Sequence, residues 1–203
     1  MHISEGILAW PVLTSGALAA AAGTGVALRA LNEERIPQIA ILSSAFFVAS
    51  LVHVPLGPSS VHLILNGLVG LLLGWMAFPA ILVGLLLQAV LFQFGGLTTL
   101  GVNTVIMAAP AVACHYLFRA GVASGNRTVS WTCSFLCGAV AVLLGSLLVA
   151  LSLVFTGEAF LGVARLVVVA HLPVMVIEGL ITTFCVAFLR QVKPEILEVG
   201  HVR

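Results

Sequence analysis

Long apolar runs follow one another along this chain and are separated only by short polar breaks. From position 36 to position 118 the sequence contains no Asp, Glu, Lys or Arg. A membrane-spanning helix needs about 20 apolar residues, so this stretch alone predicts about four passes through a bilayer. Three further apolar runs, at 6–28, 128–157 and 166–189, predict one pass each.

The hydrophobic pattern therefore predicts an all-α polytopic membrane protein, a bundle of about seven transmembrane helices. We expect the passes at 11–31, 38–56, 61–78, 79–94, 104–118, 131–155 and 163–189. The third and fourth are short and meet at Pro79, which predicts a tight hairpin there. The segment GGLTTLGVN (95–103) is polar and glycine-rich, and irregular backbone at membrane depth is tolerated only where protein or a cavity covers it. We predict that this segment is a re-entrant or site-lining loop.

The composition excludes a water-soluble domain. Apolar residues make up 61% of the 203 positions and charged residues only 7%, against roughly 25% charged residues in ordinary globular domains. The net charge of +1 gives no indication of a nucleic-acid partner. The first residues, which include His2 and Glu5, lack the basic stretch that opens a signal peptide, so we expect the N-terminus to be retained.

Basic residues are distributed unevenly between the predicted loops. With the N-terminus outside, seven of the eight Lys and Arg residues fall on the cytoplasmic side, and only Arg165 lies outside. This asymmetry follows the positive-inside rule and supports an odd number of passes. We expect one transmembrane domain over 1–203 in the plasma (inner) membrane of a bacterium. It would consist of an N-terminal segment at 1–10, a helical bundle at 11–189 and a cytoplasmic tail at 190–203.

Three segments rich in polar or histidine residues then lie at the extracytoplasmic face. They are MHISEG (1–6), HVPLGPSSVH (53–62) and GGLTTLGVN (95–103). Polar and ionisable groups at membrane depth are costly to bury and commonly mark functional sites. The convergence of three such segments on one face predicts a binding site there.

The pair Met1-His2 has the groups of a metal chelator. An α-amine has an ordinary pKa of about 7.7–8.0, so a metal ion can displace its proton near neutrality. That amine, the deprotonated backbone nitrogen of His2 and the His2 Nδ1 would place three nitrogens in one plane. A fourth imidazole would complete a square-planar site, which suits Ni(II), Cu(II) or low-spin Co(II). His62 is the candidate fourth ligand and His53 the alternative; an accidental surface histidine at position 2 is the competing interpretation.

The last predicted pass carries two ionisable residues on one helix face. His171 and Glu178 are seven positions apart, a spacing that repeats on the same side of a helix. One interpretation is a buried pair between them. The other is that Glu178 bonds a polar group of a neighbouring helix and only fixes the packing.

Several membrane histidines also raise a different class of function, a membrane haem or electron-transfer protein. Helical haem ligands usually face each other at similar depth, whereas His115 is predicted near the inner face and His53 and His62 near the outer one. An intramembrane metalloprotease would need an HExxH helix or paired carboxylates. The sequence has no HExxH, and Glu178 is the single carboxylate within a predicted pass.

The motifs MHISEG, GPSSVH (57–62) and GGLTTLGVNTVIMA (95–108), in this order, resemble the CbiM/NikM family. These are the substrate-binding membrane subunits of energy-coupling-factor (ECF) transporters for cobalt and nickel. The resemblance covers most of the chain. It implies an N-terminal segment tucked into the helical bundle from the extracytoplasmic side, and a transporter subunit with no ATPase activity of its own. In agreement, the chain has no GxxxxGK[ST] phosphate-binding loop.

The resemblance also implies the ligands. Met1 would supply its amine, His2 its amide and imidazole, and His62 the fourth nitrogen. Three further residues would bond to the ligands and orient them, namely Ser59, Thr98 and Asn103.

The remaining implications concern the substrate and the partners. The start with Glu5-Gly6 is more similar to the cobalt branch, so Co(II) for cobalamin synthesis is the expected substrate, with Ni(II) as the alternative and no organic cofactor. The expected partners are a CbiQ-like membrane coupling subunit, a CbiO-like pair of cytoplasmic ATPases and a small two-pass CbiN-like subunit.

Overall fold

The computed structural model describes residues 2–56 and 59–198, with the backbone alone at 53–56, 59–61 and 198. In this part of the chain the helices are α1 (Trp10–Arg29), α2 (Ile36–Ala49), α3 (Asn66–Leu73), α4 (Ala77–Phe92), α5 (Leu100–Val122), α6 (Arg127–Thr156), α7 (Leu161–Val192) and α8 (Glu195–Glu198). The strands are β1 (His53–Leu56) and β2 (Ser59–His62). Short 3-10 turns at Glu33–Arg35, Gly74–Met76 and Glu158–Phe160 precede α2, α4 and α7. The helices α1 to α7 confirm the predicted all-α bundle.

Five helical segments of the described chain have the length and hydropathy of a membrane span, although Asn66–Phe92 reaches that length only as two helices joined by the turn Gly74–Met76. They are Trp10–Arg29, Asn66–Phe92, Leu100–Val122, Arg127–Thr156 and Glu158–Val192. Helix α2 has 14 residues, which is shorter than the roughly 20 residues of an ordinary span. The protein is therefore an integral membrane protein whose bundle combines full-length and shorter helices.

The chain reverses direction inside the segment Asn66–Phe92. Helix α3 runs parallel to α5, because Asn66 Nδ2 donates to the Met107 carbonyl and His115 Nδ1 bonds the Leu71 carbonyl. Helix α4 is joined to α5 by a short loop and packs against it, so these two helices are antiparallel. Helices α3 and α4 therefore form a hairpin, and α3, about 12 Å long, reaches through only part of the bilayer.

The hairpin was predicted correctly, but its position at Pro79 was wrong. The turn lies at Gly74–Met76, where Gly74 has a φ of +59°. Glycine adopts this left-handed conformation without the steric cost that a side chain would add. Pro79 lies in the first turn of α4, where proline is tolerated because no intrahelical N–H bond is lost.

A β-hairpin replaces the predicted end of the second pass. Helix α2 ends at Ala49, not at position 56, and β1 pairs antiparallel with β2 so that His53 lies opposite His62. Val54 and Val61 also face each other in this register, and β-branched residues favour strands. The sequence predicted a helix here because a short strand and the end of a helix can have the same hydropathy.

The predicted loop at 95–103 is irregular over 95–99 and helical from Leu100 onward. Gly95 and Gly96 have φ values of +78° and +126°. Helix α5 then begins at Leu100 rather than at position 104. Gly101 lies within this first turn, and an added Cβ would meet the Ala17 backbone of α1 at 2.5 Å. The two helices therefore approach closely beside the loop.

Candidate metal centre

The N-terminal segment, residues 2–9, folds onto the bundle instead of extending from it. The Ile3 and Leu8 side chains are buried and belong to the main hydrophobic core. The N–H of Glu5 donates to the Gly95 carbonyl at 3.0 Å. The segment therefore packs between the core and the loop 93–99, in the tucked position that the family resemblance implied.

The side-chain amide of Asn103 bonds both backbone groups of Ile3. The Ile3 N–H donates to Asn103 Oδ1 at 3.0 Å, and Asn103 Nδ2 donates to the Ile3 carbonyl at 3.1 Å. Nδ2 also bonds the Thr99 hydroxyl at 3.2 Å. Asn103 is buried in the first turn of α5. This pair fixes the backbone directly after His2.

Glu5 connects the N-terminal segment to the other end of the same loop. Its Oε1 accepts hydrogen bonds from the Thr98 N–H at 2.9 Å and from the Thr98 hydroxyl at 3.2 Å. The carboxylate is exposed, and the Thr98 backbone N–H, followed by its hydroxyl, lowers the pKa of Glu5 below its ordinary value. Two residues of the predicted site thus hold the N-terminal segment: Asn103 holds it at Ile3, and Thr98 holds it at Glu5.

The imidazoles of His2 and His62 lie against each other. Their ring centroids are 4.7 Å apart and the ring planes are inclined by 15°. The centroid of the Phe94 ring lies 6.3 Å from that of the His2 ring, and the two ring planes are inclined by 21°. The contact joins residues 60 positions apart and brings the N-terminal segment, β2 and the end of α4 to one place.

The tautomer of His62 follows from its backbone partner. His62 Nδ1 lies 3.0 Å from the Leu63 carbonyl oxygen. A carbonyl only accepts hydrogen bonds, so in the neutral ring Nδ1 carries the proton and Nε2 the lone pair. Metal-bound histidines usually donate their second ring N–H to such an acceptor, which fixes the orientation of the ring.

The buried carboxylate of Glu178 reaches the chain just beyond His62. It accepts hydrogen bonds from the N–H groups of Ile64 and Leu65, the latter at 3.0 Å to each carboxylate oxygen. His171 Nδ1 bonds the Val167 carbonyl one turn earlier in its own helix, at 2.7 Å. The second predicted interpretation for Glu178 holds only in part, because its partners are backbone N–H groups of the connection between β2 and α3 and not a polar group of a neighbouring helix.

Three of the predicted ligands and orienting residues lie wholly or partly outside the described part of the chain. Met1 lies outside the described residues. The side chains of His53 and Ser59 are also outside them, although the backbone of both belongs to the β-hairpin. His115, a residue of α5, lies beside Leu71 and the Gly74 turn. These neighbours are at the C-terminal end of α3, away from His62. Among the described side chains no group of three or more His, Cys, Asp or Glu is placed to hold a metal.

Comparison with known proteins agrees with this architecture. The sequence profile of the family described as "CbiM: Cobalt uptake substrate-specific transmembrane region" matches residues 2–196. The chain belongs to the CbiM family. The cobalt transport protein CbiM of Sorangium cellulosum is 32% identical over 98% of this chain and 95% of its own length. A protein of Haemophilus influenzae, provisionally described as a metal transport protein, is 42% identical over 97% of both chains.

The fold also agrees with a solved structure. The crystal structure of a truncated transition metal transporter superposes with a TM-score of 0.72 over 94% of this chain and 99% of its own, at 24% identity. Other CbiM relatives are named as fused CbiMQ and fused NikMN transport proteins, so further transporter subunits are associated with the family. This CbiM family member is a membrane protein for cobalt or nickel uptake, and it is a transporter rather than an enzyme.

Three features of the site in this CbiM family member were not predicted. The role of Glu5 as an anchor, the stacking of Phe94 near His2 and the target of Glu178 all depend on tertiary contacts. Glu178 left a signal in the sequence, because a lone carboxylate within an apolar pass is costly unless it has a specific partner. The sequence did not identify that partner, because a backbone N–H belongs to every residue other than proline.

Proposed function

We propose that this chain is the substrate-capture subunit of an ATP-driven ECF transporter, that it takes up Co(II) for cobalamin synthesis, and that it binds the ion in a nearly square-planar site of four nitrogens. The observation that carries the proposal is the contact between the His2 and His62 rings, with centroids 4.7 Å apart. The predicted metal ligands of two distant segments thus meet at one place.

The four nitrogens would be the Met1 amine, the His2 amide nitrogen, the His2 Nδ1 and the His62 Nε2. The first three belong to two consecutive residues and form one five-membered and one six-membered chelate ring. His62 would take the remaining corner, opposite the amide and beside the His2 imidazole. The proposal requires a mature chain that begins at Met1 with a free amine, and the extension experiment below tests this requirement.

The distance between the two ring centroids supports neighbouring corners for the two imidazoles. A bond from a metal to an imidazole nitrogen is about 2 Å long, so imidazoles at adjacent corners have centroids roughly 4.5 Å apart and opposite ones roughly 6.5 Å. The 4.7 Å between His2 and His62 corresponds to adjacent corners. The protonated Nδ1 of His62, which bonds the Leu63 carbonyl, leaves Nε2 as its ligand atom.

Ni(II) is the alternative substrate. Affinity for a site with nitrogen ligands generally rises from Co(II) to Ni(II) and Cu(II), so the ligand set alone does not select cobalt. The match to the cobalt uptake profile and the Sorangium cellulosum relative named CbiM support Co(II). Selection against Ni(II) would then depend on the neighbouring subunits or on the supply of the metal.

The remaining transporter parts follow the predicted division of labour. A CbiQ-like coupling subunit and a CbiO-like pair of ATPases would supply the energy, and a small CbiN-like subunit would complete the complex. The metal site would face the extracytoplasmic side, with the C-terminus in the cytoplasm. The distribution of basic residues supports this orientation, because only Arg165 would lie outside.

The test is metal retention by the purified chain with a native N-terminus and a C-terminal tag, after exposure to equal amounts of Co(II) and Ni(II). We expect about one tightly held ion per chain. His2→Ala and His62→Ala should each remove tight binding, whereas His115→Ala should not, because His115 is a residue of α5 that lies beside Leu71, far from His62. A damaging His53→Ala with a harmless His62→Ala would assign the fourth ligand to His53.

A second variant tests the amine. One extra residue placed before Met1 moves the amine out of the chelate without changing any side chain, so tight binding should be lost. Unchanged affinity in this extended protein would refute the N-terminal chelate and with it the proposed site.

A further inference from the structure

Glu178 is the one ionisable side chain of the described α7 that is wholly buried in the middle of the bundle. Its carboxylate oxygens accept hydrogen bonds from two consecutive backbone N–H groups, those of Ile64 and Leu65. A buried charge in a membrane protein is stable only when such donors replace its hydration. These hydrogen bonds therefore stabilise the buried carboxylate, and they also hold the backbone at Ile64 and Leu65 in place.

These two N–H groups belong to the short connection between His62 and α3. His62 ends β2, and Ile64 follows two residues later. Leu65 has a φ of +54°, a left-handed conformation that non-glycine residues rarely adopt and that needs support from neighbouring groups. Ile64 is itself buried. A change at Glu178 therefore acts on a constrained turn next to His62.

The other end of this turn is fixed independently. Asn66, the first residue of α3, donates through Nδ2 to the carbonyls of Met107 and Ala141 at 3.3 and 3.4 Å. Gly67 also lies so close to α6 that a Cβ there would meet the Gly138 Cα at 2.8 Å. Helix α3 is thus held by α5 and α6 without Glu178, so loss of the Glu178 contact should loosen mainly the 63–65 turn.

We infer that Glu178 is a positioning residue of the metal site. Through the N–H groups of Ile64 and Leu65 it fixes the turn after β2 and hence the place of the His62 imidazole. This inference rests on the proposed function, because it assigns His62 as a ligand. This role differs from packing alone, because Glu178 would affect metal binding through His62.

The experiment is a double-mutant cycle between Glu178 and His62. Affinities for Ni(II) and for Co(II) are measured by competition with a chelator in four proteins: the native chain, Glu178→Gln, His62→Ala and the double variant. Glutamine has nearly the same volume but presents an N–H₂ group in place of one acceptor oxygen. We expect Glu178→Gln to weaken binding by at least about tenfold, within the range for groups that orient metal ligands.

The result in the His62→Ala background decides between the two roles. The N-terminal amine, amide and imidazole remain there, so weaker binding is still measurable. If Glu178 acts through His62, adding Glu178→Gln to His62→Ala should change the affinity by less than about twofold, because coupled residues are not additive. An equal loss in both backgrounds, or no loss in the native background, would overturn the inference.

Failure of the proposed function has a different signature. If His62→Ala binds metal as tightly as the native chain, His62 is not a ligand, and both the proposed site and the role of Glu178 are refuted. If His62→Ala weakens binding but Glu178→Gln acts additively, the proposed site stands and only the positioning role is wrong.

Thr182→Val is the matched control for perturbing α7. Thr182 is one turn beyond Glu178, is fully buried and packs against Gly138 of α6. This nearly isosteric change should leave the affinity within about twofold of the native value. Glu178→Leu, which removes both acceptor oxygens, should weaken binding at least as much as Glu178→Gln. Native-like binding by Glu178→Leu would overturn the inference, even if that protein is less stable.

Discussion

Gly96 lies directly against the side chain of Glu5, so that a Cβ at position 96 would overlap the Glu5 side-chain carbons. The φ of Gly96 is +126°, a conformation that L side chains rarely adopt. The same Glu5 carboxylate accepts hydrogen bonds from Thr98. The loop can therefore pack against Glu5 only because residue 96 is a glycine and has no side chain.

Gly96→Ala should displace the N-terminal segment from the loop. The added Cβ needs both a change of backbone conformation and a shift of Glu5, and the metal site depends on the same segment. We expect metal affinity to fall by about tenfold or more, with faster hydrogen exchange at the Glu5 N–H. Gly162→Ala is the control, because a Cβ there meets nothing within 4 Å. Equal affinities of the two variants would contradict this prediction.

Asn103→Ala should weaken metal binding through the backbone of Ile3. The change leaves the Ile3 N–H and carbonyl without the partner they have at 3.0 and 3.1 Å, and a buried unsatisfied group costs about 1–3 kcal/mol. The neighbouring Thr104→Val is the control, since its hydroxyl bonds the Leu100 carbonyl within α5. We expect a tenfold or larger loss of affinity for Asn103→Ala alone, measured by chelator competition. A loss of similar size in Thr104→Val would attribute the effect to α5 itself.

The attachment of the N-terminal segment should depend on pH through Glu5. Hydrogen bonds from Thr98 lower the pKa of Glu5 below its ordinary value of 4.5. A lowered pKa means that the ionised form stabilises the attached state. The stabilisation by the ionised Glu5 is complete above its ordinary pKa and is lost as the pH falls through its lowered pKa. We therefore expect the segment to loosen below about pH 4.5 in the metal-free protein.

Hydrogen exchange at the Thr98 and Glu5 N–H groups, corrected for its intrinsic pH dependence, measures this loosening. Glu5→Gln should abolish the step because it cannot ionise. Glu158→Gln changes an exposed glutamate in the connection between α6 and α7 and should retain the step. A step that persists in Glu5→Gln would have to come from another group.

The sequence predicted the class of the fold and the meeting of three segments at the site. Both predictions rest on quantities that add along the chain: apolar length, and the distribution of polar and basic residues. The tucked position of residues 2–9 came from resemblance, and the buried Ile3 side chain agrees with it. The ligand roles of Met1, His2 and His62 stay predictions.

The details of the 50–80 region could not be predicted in the same way. Whether the end of an apolar run forms a helix, as in α3, or a strand, as in β1, depends on partners from elsewhere in the chain. Pro79 indicated an interruption, but the reversal needed the left-handed Gly74 five residues earlier. The bond from Glu178 to the turn before α3 is a contact over more than a hundred residues, and no local pattern encodes its partner.

Helix α3 should be the element least tolerant of added volume. At Gly70 a Cβ would overlap the backbone of Ala111 in α5, which cannot move aside as a flexible side chain can. Gly70→Ala should therefore lower the free energy of unfolding by about 1–3 kcal/mol or more, as expected for overpacking. It should also weaken metal binding, because α3 directly follows the turn that positions His62.

Gly25→Ala provides the comparison for Gly70→Ala. Gly25 is exposed on α1, and a Cβ there meets nothing within 4 Å, so the substitution should be neutral or slightly stabilising, since alanine favours helix more than glycine does. Thermal unfolding in detergent, with and without Ni(II), measures both variants. A Gly70→Ala protein as stable as Gly25→Ala would show that α3 and α5 can separate, and the fixed position of the His62 turn would then need another cause.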